Sequence, residues 1–206
     1  MHGVIDTRPA GECRARLLLA HGAGAPMDSD FMNAISDLLA GQGIAVRRFE
    51  FPYMQKRRED GRKRPPDRAP ALLAAFAGQL AGLPDDVPVL VGGKSMGGRM
   101  ASMLAVDHPV AGVACLGYPF HPPGKPEKLR IAHFADIQAP VLICQGERDS
   151  FGTRAEVEAM TLPPQVHVAW MEDGNHDLKP RKASGLSHED NLQACAAAVG
   201  AFVAGL

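Results

Sequence analysis

The constraint that decides the fold class is an alternation. Six short strand-type runs recur along the chain: ARLLLA (15–20), IAVRRFEF (44–51), VPVLVGG (87–93), VAGVACLG (110–117), PVLICQG (140–146) and VHVAWM (166–171). Most are near-continuous in apolar residues instead of alternating, as strands covered on both faces require. Helical stripes separate them. Phe31, Ile35, Leu38 and Leu39 share one face, as do Leu72, Leu73, Phe76 and Leu80, and then Met96, Met100, Met103 and Leu104. A last helix opens at Ser187 with Asp190 three residues on, a capping-box spacing, and presents Leu192, Ala196, Val199 and Phe202. Strand and helix in turn, joined by right-handed crossovers, predict an α/β fold. Its expected form is a six-stranded, mostly parallel sheet with helices on both faces.

Composition narrows the function classes. The 206 residues suit one domain, 1–206, and no linker or repeat divides them. A net charge of −1 argues against a protein that coats nucleic acid. Cys13, Cys115, Cys144 and Cys195 form no C-x-x-C pair, so no metal or redox cofactor is expected. The apolar stretch 17–20 is too short for a signal peptide, and the Ala-rich 194–206 is too short to span a bilayer. The expectation is a cytoplasmic protein without a membrane anchor.

The chemistry centres on GGKSMGGR (92–99). Its GKS could end a phosphate-binding loop, but that loop needs a glycine five residues before Gly93, where Pro88 stands, and residues 87–91 read as strand. The alternative, G-x-S-x-G between a strand and a helix, is a nucleophile elbow presenting Ser95. The turn is crowded, and Gly93, Gly97 and Gly98 supply the small neighbours it needs.

A serine hydroxyl is a weak nucleophile near neutrality and needs a histidine base oriented by a carboxylate. In a parallel sheet the loops after the strands gather at one edge, so the partners should follow later strands in the order Ser, acid, His. GERDSFGT offers Glu147 and Asp149; Asp149, lying farther beyond the strand, is the better placed to reach the next loop. EDGNHDLKP offers His176 in a polar loop before the final helix, flanked by Asp173 and Asp177. His108, His121 and His133 precede the acid, His167 lies in a strand pattern, and His188 in a helix. The oxyanion donors expected are the backbone N–H of Met96 and one from HGAGAP after the first strand, at Ala23 or alternatively Gly24. His21 is expected to brace that loop.

These motifs resemble the α/β-hydrolases over about residues 14–206. LLLAHGAGA, GGKSMGGR, GERDSFGT and GNHDLKP match the oxyanion loop, nucleophile elbow, acid loop and histidine loop. FPYM, GKSMGGRMAS, YPFHPPGKPEKLR and LICQGERDSFG are most similar to a small branch related to dienelactone hydrolases. That branch includes testis-expressed protein 30-like and NSL complex subunit 3-like proteins. The resemblance implies a serine hydrolase acting without cofactor. Two departures matter: dienelactone hydrolases proper carry a cysteine where Ser95 stands, and the first apolar run comes too early for the two leading strands of larger members.

The 22 residues 118–139 are too few for a helical lid domain, so an open site and a small acyl ester, thioester or amide are expected. The segment KRREDGRKRPPDR (56–68) holds seven basic and three acidic residues and is expected as a loop on the same edge. There Arg57, Arg58, Arg62 and Arg64 would form a rim attracting an anionic substrate or an acidic partner. The competing expectation is a catalytically silent binding module that holds an acidic partner with those basic loops.

Overall fold

The computed structural model describes residues 3–206. Among these, seven strands form one sheet: β1 (Ile5–Thr7), β2 (Ala15–Ala20), β3 (Ile44–Phe49), β4 (Val89–Lys94), β5 (Gly112–Leu116), β6 (Val141–Gly146) and β7 (Val166–Met171). Their order is β1-β3-β2-β4-β5-β6-β7, and only β1 runs antiparallel to its neighbour. The sheet is thus mostly parallel, as the apolar runs imply, but it has seven strands where six were expected. The additional one, β1, is three residues long and carries no apolar run. An ion pair replaces that signal: Asp6 takes both guanidinium donors of Arg47 on β3, at 2.7 and 2.9 Å. It covers an edge that β3 would otherwise leave unpaired.

Among the described residues six α-helices flank the sheet: α1 (Asp30–Gly41), α2 (Pro52–Asp60), α3 (Ala69–Leu80), α4 (Met96–Asp107), α5 (Arg154–Glu158) and α6 (His188–Ala204). Side chains alternate along a strand, so β2's successive leucines point alternately into two cores. Leu17 and Leu19 pack with Met32, Ile35 and Leu39 of α1 and with Leu192, Cys195 and Val199 of α6. Leu18 and Ala20 face Met100 and Leu104 of α4 and Leu72 and Phe76 of α3. All three leucines are at most 1 % exposed, and burying each contributes roughly 1.5–3 kcal/mol. The continuous apolar runs record this double burial. The capping box opening α6 is formed: the Asp190 backbone N–H donates to Ser187 Oγ, and the Ser187 N–H to Asp190 Oδ2 at 2.7 Å.

The charged stretch after β3 departs from expectation. Its first part is helical: Pro52 occupies the first turn of α2, and Gly61 ends the helix in the left-handed region at φ 71°. Residues 118–139 carry no helical lid, only a 3₁₀ turn at Ala132–Asp136.

Strand order reverses between β2 and β4. After β2 the chain moves outward to β3, then returns past β2 to lay down β4 on its other side. The loops leaving β2 and β4 therefore diverge and open a crevice at their carboxyl ends, where parallel α/β sheets bind ligands.

Candidate active site

Ser95 sits at that crevice, on the turn between β4 and α4. Its backbone has φ 53° and ψ −116°, a conformation costing a non-glycine residue about 1–3 kcal/mol. Close packing holds it there. A Cβ on Gly93 would lie 2.5 Å from the Gly97 carbonyl carbon, and one on Gly98 would lie 2.7 Å from Gly93 O. A Cβ on Gly97 would strike Ala20 O and come within 2.7 Å of His21 O. The glycines let helix and strand approach closely enough to force the turn.

The acid and histidine loops are sewn together. Arg148 N–H donates to Gly174 O at 2.8 Å, and Glu147 N–H to Met171 O at 3.2 Å. The geometry that results is continuous from carboxylate to hydroxyl. His176 Nδ1 lies 2.8 Å from Asp149 Oδ2, and His176 Nε2 lies 2.8 Å from Ser95 Oγ. Asp149 is fully buried, and its other oxygen accepts the Phe151 N–H at 2.8 Å. The competing carboxylates are occupied elsewhere. Glu147 accepts from the Asp173 N–H and pairs with Arg154, and these two contacts, the N–H first, hold its carboxyl below the usual range. Asp173 is bound by Arg181 and Arg148 and is held at about 2. Asp177 lies 3.2 Å from Lys94 Nζ.

His21 braces the oxyanion loop through both ring nitrogens. Nε2 accepts the Phe51 N–H at 3.1 Å, so the proton is on Nδ1, which donates to Gly22 O at 2.7 Å. Burial pushes its pKa down and keeps the ring neutral. The Tyr53 hydroxyl donates to Ala23 O at 3.0 Å, and Arg57 donates to Gly24 O at 3.2 Å. The loop's carbonyls are thereby engaged, whereas the N–H groups of Ala23, Gly24 and Met96 donate to no protein atom among the described residues.

Side chains that no motif announces complete the arrangement. Gln145, fully buried at the end of β6, donates through Nε2 to Asp149 Oδ2 at 2.9 Å and to Gly152 O at 3.1 Å. Its Oε1 accepts the Tyr118 N–H at 2.7 Å. Lys94, buried directly before the serine, donates to His176 O at 2.7 Å and ties the histidine loop to β4. Burial lowers the Lys94 pKa, and the Asp177 carboxylate opposes that shift. The Phe151 ring lies 4.2 Å, centroid to centroid, from the His176 ring. A polar residue closing an otherwise apolar run, as in LICQG, and a lysine within a buried strand are the signals that could have found the first two.

Two cavities adjoin Ser95. One of about 310 Å³ is lined by Gly24, Phe31, Lys94, Phe151, His176 and Asp177, among others. The other, about 330 Å³, is lined by Leu72, Met96, Arg99, Met100, Pro119 and Arg130, among others. The expected rim is differently disposed. Arg58 is bound by Glu50 and Asp28, both at 2.6 Å, and Arg64 by Asp60, while Arg57 holds the oxyanion loop. Among the described residues Arg62 engages Asp60 through its backbone N–H alone, at 3.0 Å. Arg58 and Arg64 are thus neutralised locally, and the cations that the cavities present are Lys94, Arg99 and Arg130. Among the described residues no group of three His, Cys, Asp or Glu side chains could hold a metal ion, and no helix is long and apolar enough to cross a membrane.

The family model described as alpha/beta hydrolase domain matches residues 13–204. The chain belongs to that family. No curated protein sequence matches this alpha/beta hydrolase significantly. It is similar in structure to dienelactone hydrolase from Anabaena variabilis, with TM-score 0.71 and 20% identity, over 98% of this chain and 90% of that one. It is also similar to a serine hydrolase without a lid from Xanthomonas campestris, with TM-score 0.69 and 18% identity, over 97% and 88%. The esterase domain of a Rhodothermus marinus protein aligns with TM-score 0.66 and 20% identity, over 96% and 89%. At such identities the likeness speaks for the fold.

Proposed function

We propose that this alpha/beta hydrolase is a serine hydrolase that cleaves a small acyl ester, thioester or amide through an acyl-enzyme. The supporting observation is the unbroken path from Asp149 through His176 to Ser95, with 2.8 Å at each step. Ser95 Oγ attacks the substrate carbonyl carbon while His176 Nε2 takes the hydroxyl proton. Asp149 keeps the other proton on Nδ1 and stabilises the imidazolium. The oxyanion is met by the Met96 N–H and by that of Ala23 or Gly24. Collapse breaks the bond to the leaving group, which takes the proton from His176. Water, activated by the same ring, then releases the acid.

The absence of a lid favours short, soluble substrates. The resemblance to the small branch related to dienelactone hydrolases and to testis-expressed protein 30-like and NSL complex subunit 3-like proteins belongs to this reading. So does a single catalytic domain working in a reducing cytoplasm, which the four free cysteines support. Ser95→Ala should lower hydrolysis of 4-nitrophenyl acetate by roughly 10⁴- to 10⁶-fold, because such residues act as a unit. Equal turnover by the two proteins would remove Ser95 from the mechanism.

A further inference from the structure

We infer that Arg99 and Arg130 form a carboxylate-binding subsite for the acyl group, so that the substrate is an ester, thioester or amide of a dicarboxylic acid. The inference rests on the serine-hydrolase reading.

Leaving group and acyl group must lie on different sides of Ser95. His176 hands its proton to the leaving group, which assigns the leaving group to the cavity that His176 lines with Lys94 and Phe31. The acyl chain then enters the cavity of Met96, Met100, Leu72 and Pro119. Those walls suit methylenes, yet the same cavity is lined by two arginines.

Both arginines are held firmly by their backbones. Arg99 lies on the first turn of α4, its N–H donating to Ser95 O at 3.1 Å. Arg130 N–H donates to Phe120 O, and its carbonyl accepts the Tyr118 hydroxyl, each at 2.8 Å. Their guanidinium groups have no protein partner among the described residues. Neither makes an ion pair or a side-chain hydrogen bond among the described residues, and Arg99 Nε is buried without a partner. The one carboxylate in that lining, Asp67, accepts the Tyr53 N–H at 3.0 Å and pairs with neither arginine.

The cost of this arrangement is visible in the neighbours. Burial, and then the charge of Arg99, pull the Arg130 pKa down. The same two influences push nearby His133 down to about 4. Two like charges beside a buried N–H without a partner oppose folding unless an anion joins them. A carboxylate supplies what is missing: two acceptor oxygens and a negative charge, in a geometry that guanidinium forks match. Lys94 does not play this part in the other cavity, because His176 O and Asp177 already occupy it. Hydrolysis breaks the bond from acyl carbon to leaving group, water oxygen forms the second carboxylate, and the leaving group departs with the proton from His176.

The test compares mono-4-nitrophenyl esters of four- to six-carbon dicarboxylic acids with 4-nitrophenyl esters of fatty acids of equal carbon count, with the rate of the Ser95→Ala protein subtracted. In the wild type the diacid series should be preferred about tenfold or more in kcat/KM. In Arg99→Gln and Arg130→Gln that ratio should fall towards one, mainly through KM. Wild-type inhibition by glutarate and not by glutaramide should accompany it, and this readout needs no variant to fold. A wild-type ratio of one or below, with Ser95 still active, overturns the subsite and leaves the hydrolase reading standing. A preference that survives both substitutions places the anion elsewhere and also overturns it. If neither series is turned over, the hydrolase reading fails, and calorimetric titration of glutarate then decides: binding lost in Arg99→Gln supports the subsite, and no wild-type binding overturns it.

Discussion

Gln145 shows what separates a residue that reacts from one that places the reactants. Its amide joins Asp149 Oδ2, Tyr118 and Gly152, so it sets where the acid points, and therefore where the His176 ring lies. Gln145→Leu keeps an apolar body of similar size but removes a buried hydrogen bond to a carboxylate, a loss of about 1.5–3 kcal/mol. Expressed in kcat, this is a fall of roughly ten- to a hundredfold with KM little changed, and Gln145→Glu should not rescue it, since it sets a second carboxylate against Asp149. Steady-state kinetics on 4-nitrophenyl acetate check this. A drop in melting temperature with kcat intact would reduce Gln145 to a packing residue. Lys94 acts similarly on the other partner, through the backbone carbonyl of His176.

At the scale of elements, the elbow depends on glycine for contact distance, while α3 tolerates glycine for no visible reason. Gly97→Ala drives a methyl group into the backbone of the β2 carboxyl end, so it should destabilise by about 1–3 kcal/mol and reduce activity. Gly78→Ala, on the exposed face of α3 with open space around it, should stabilise by about 0.5–1 kcal/mol. Denaturant unfolding of the two variants should give shifts of opposite sign. Shifts of the same sign would contradict the packing account. Elements whose signal is burial were legible in the sequence: β2 and β7 occupy the residues their apolar runs mark, and α6 starts at its capping box. Elements built by charge were not. β1 is held by Asp6 and Arg47, and the run of charges in α2 conceals a helix whose buried face is only Tyr53 and Met54. The site divided in the same way. Ser95, Asp149 and His176 follow from strand order and loop position, but Gln145 and Lys94 matter through contacts between loops distant in sequence.

For the whole molecule, folding carries His21 and His133 into surroundings that keep them neutral. Burial is the first cause for both, and His133 is pushed down to about 4. In the unfolded chain both take up protons near about 6.5. Above that pH neither affects stability. Below it the unfolded state binds protons that the folded state refuses, so stability falls as pH drops from about 6.5, and the part due to His133 levels below about 4, where His133 is protonated in the fold as well. Urea unfolding at pH 7 and pH 5 should show the loss. His133→Gln should lose less between those two values than the wild type, and an equal loss would mean that His133 does not titrate as described.

The most direct measurement is covalent labelling of the folded protein by a fluorophosphonate, with the modified residue located by mass spectrometry. The account predicts one adduct, on Ser95, formed in the wild type and slowed by several orders of magnitude in His176→Ala. Folded protein that leaves Ser95 unmodified, while a serine esterase in the same solution is labelled to completion, would contradict it.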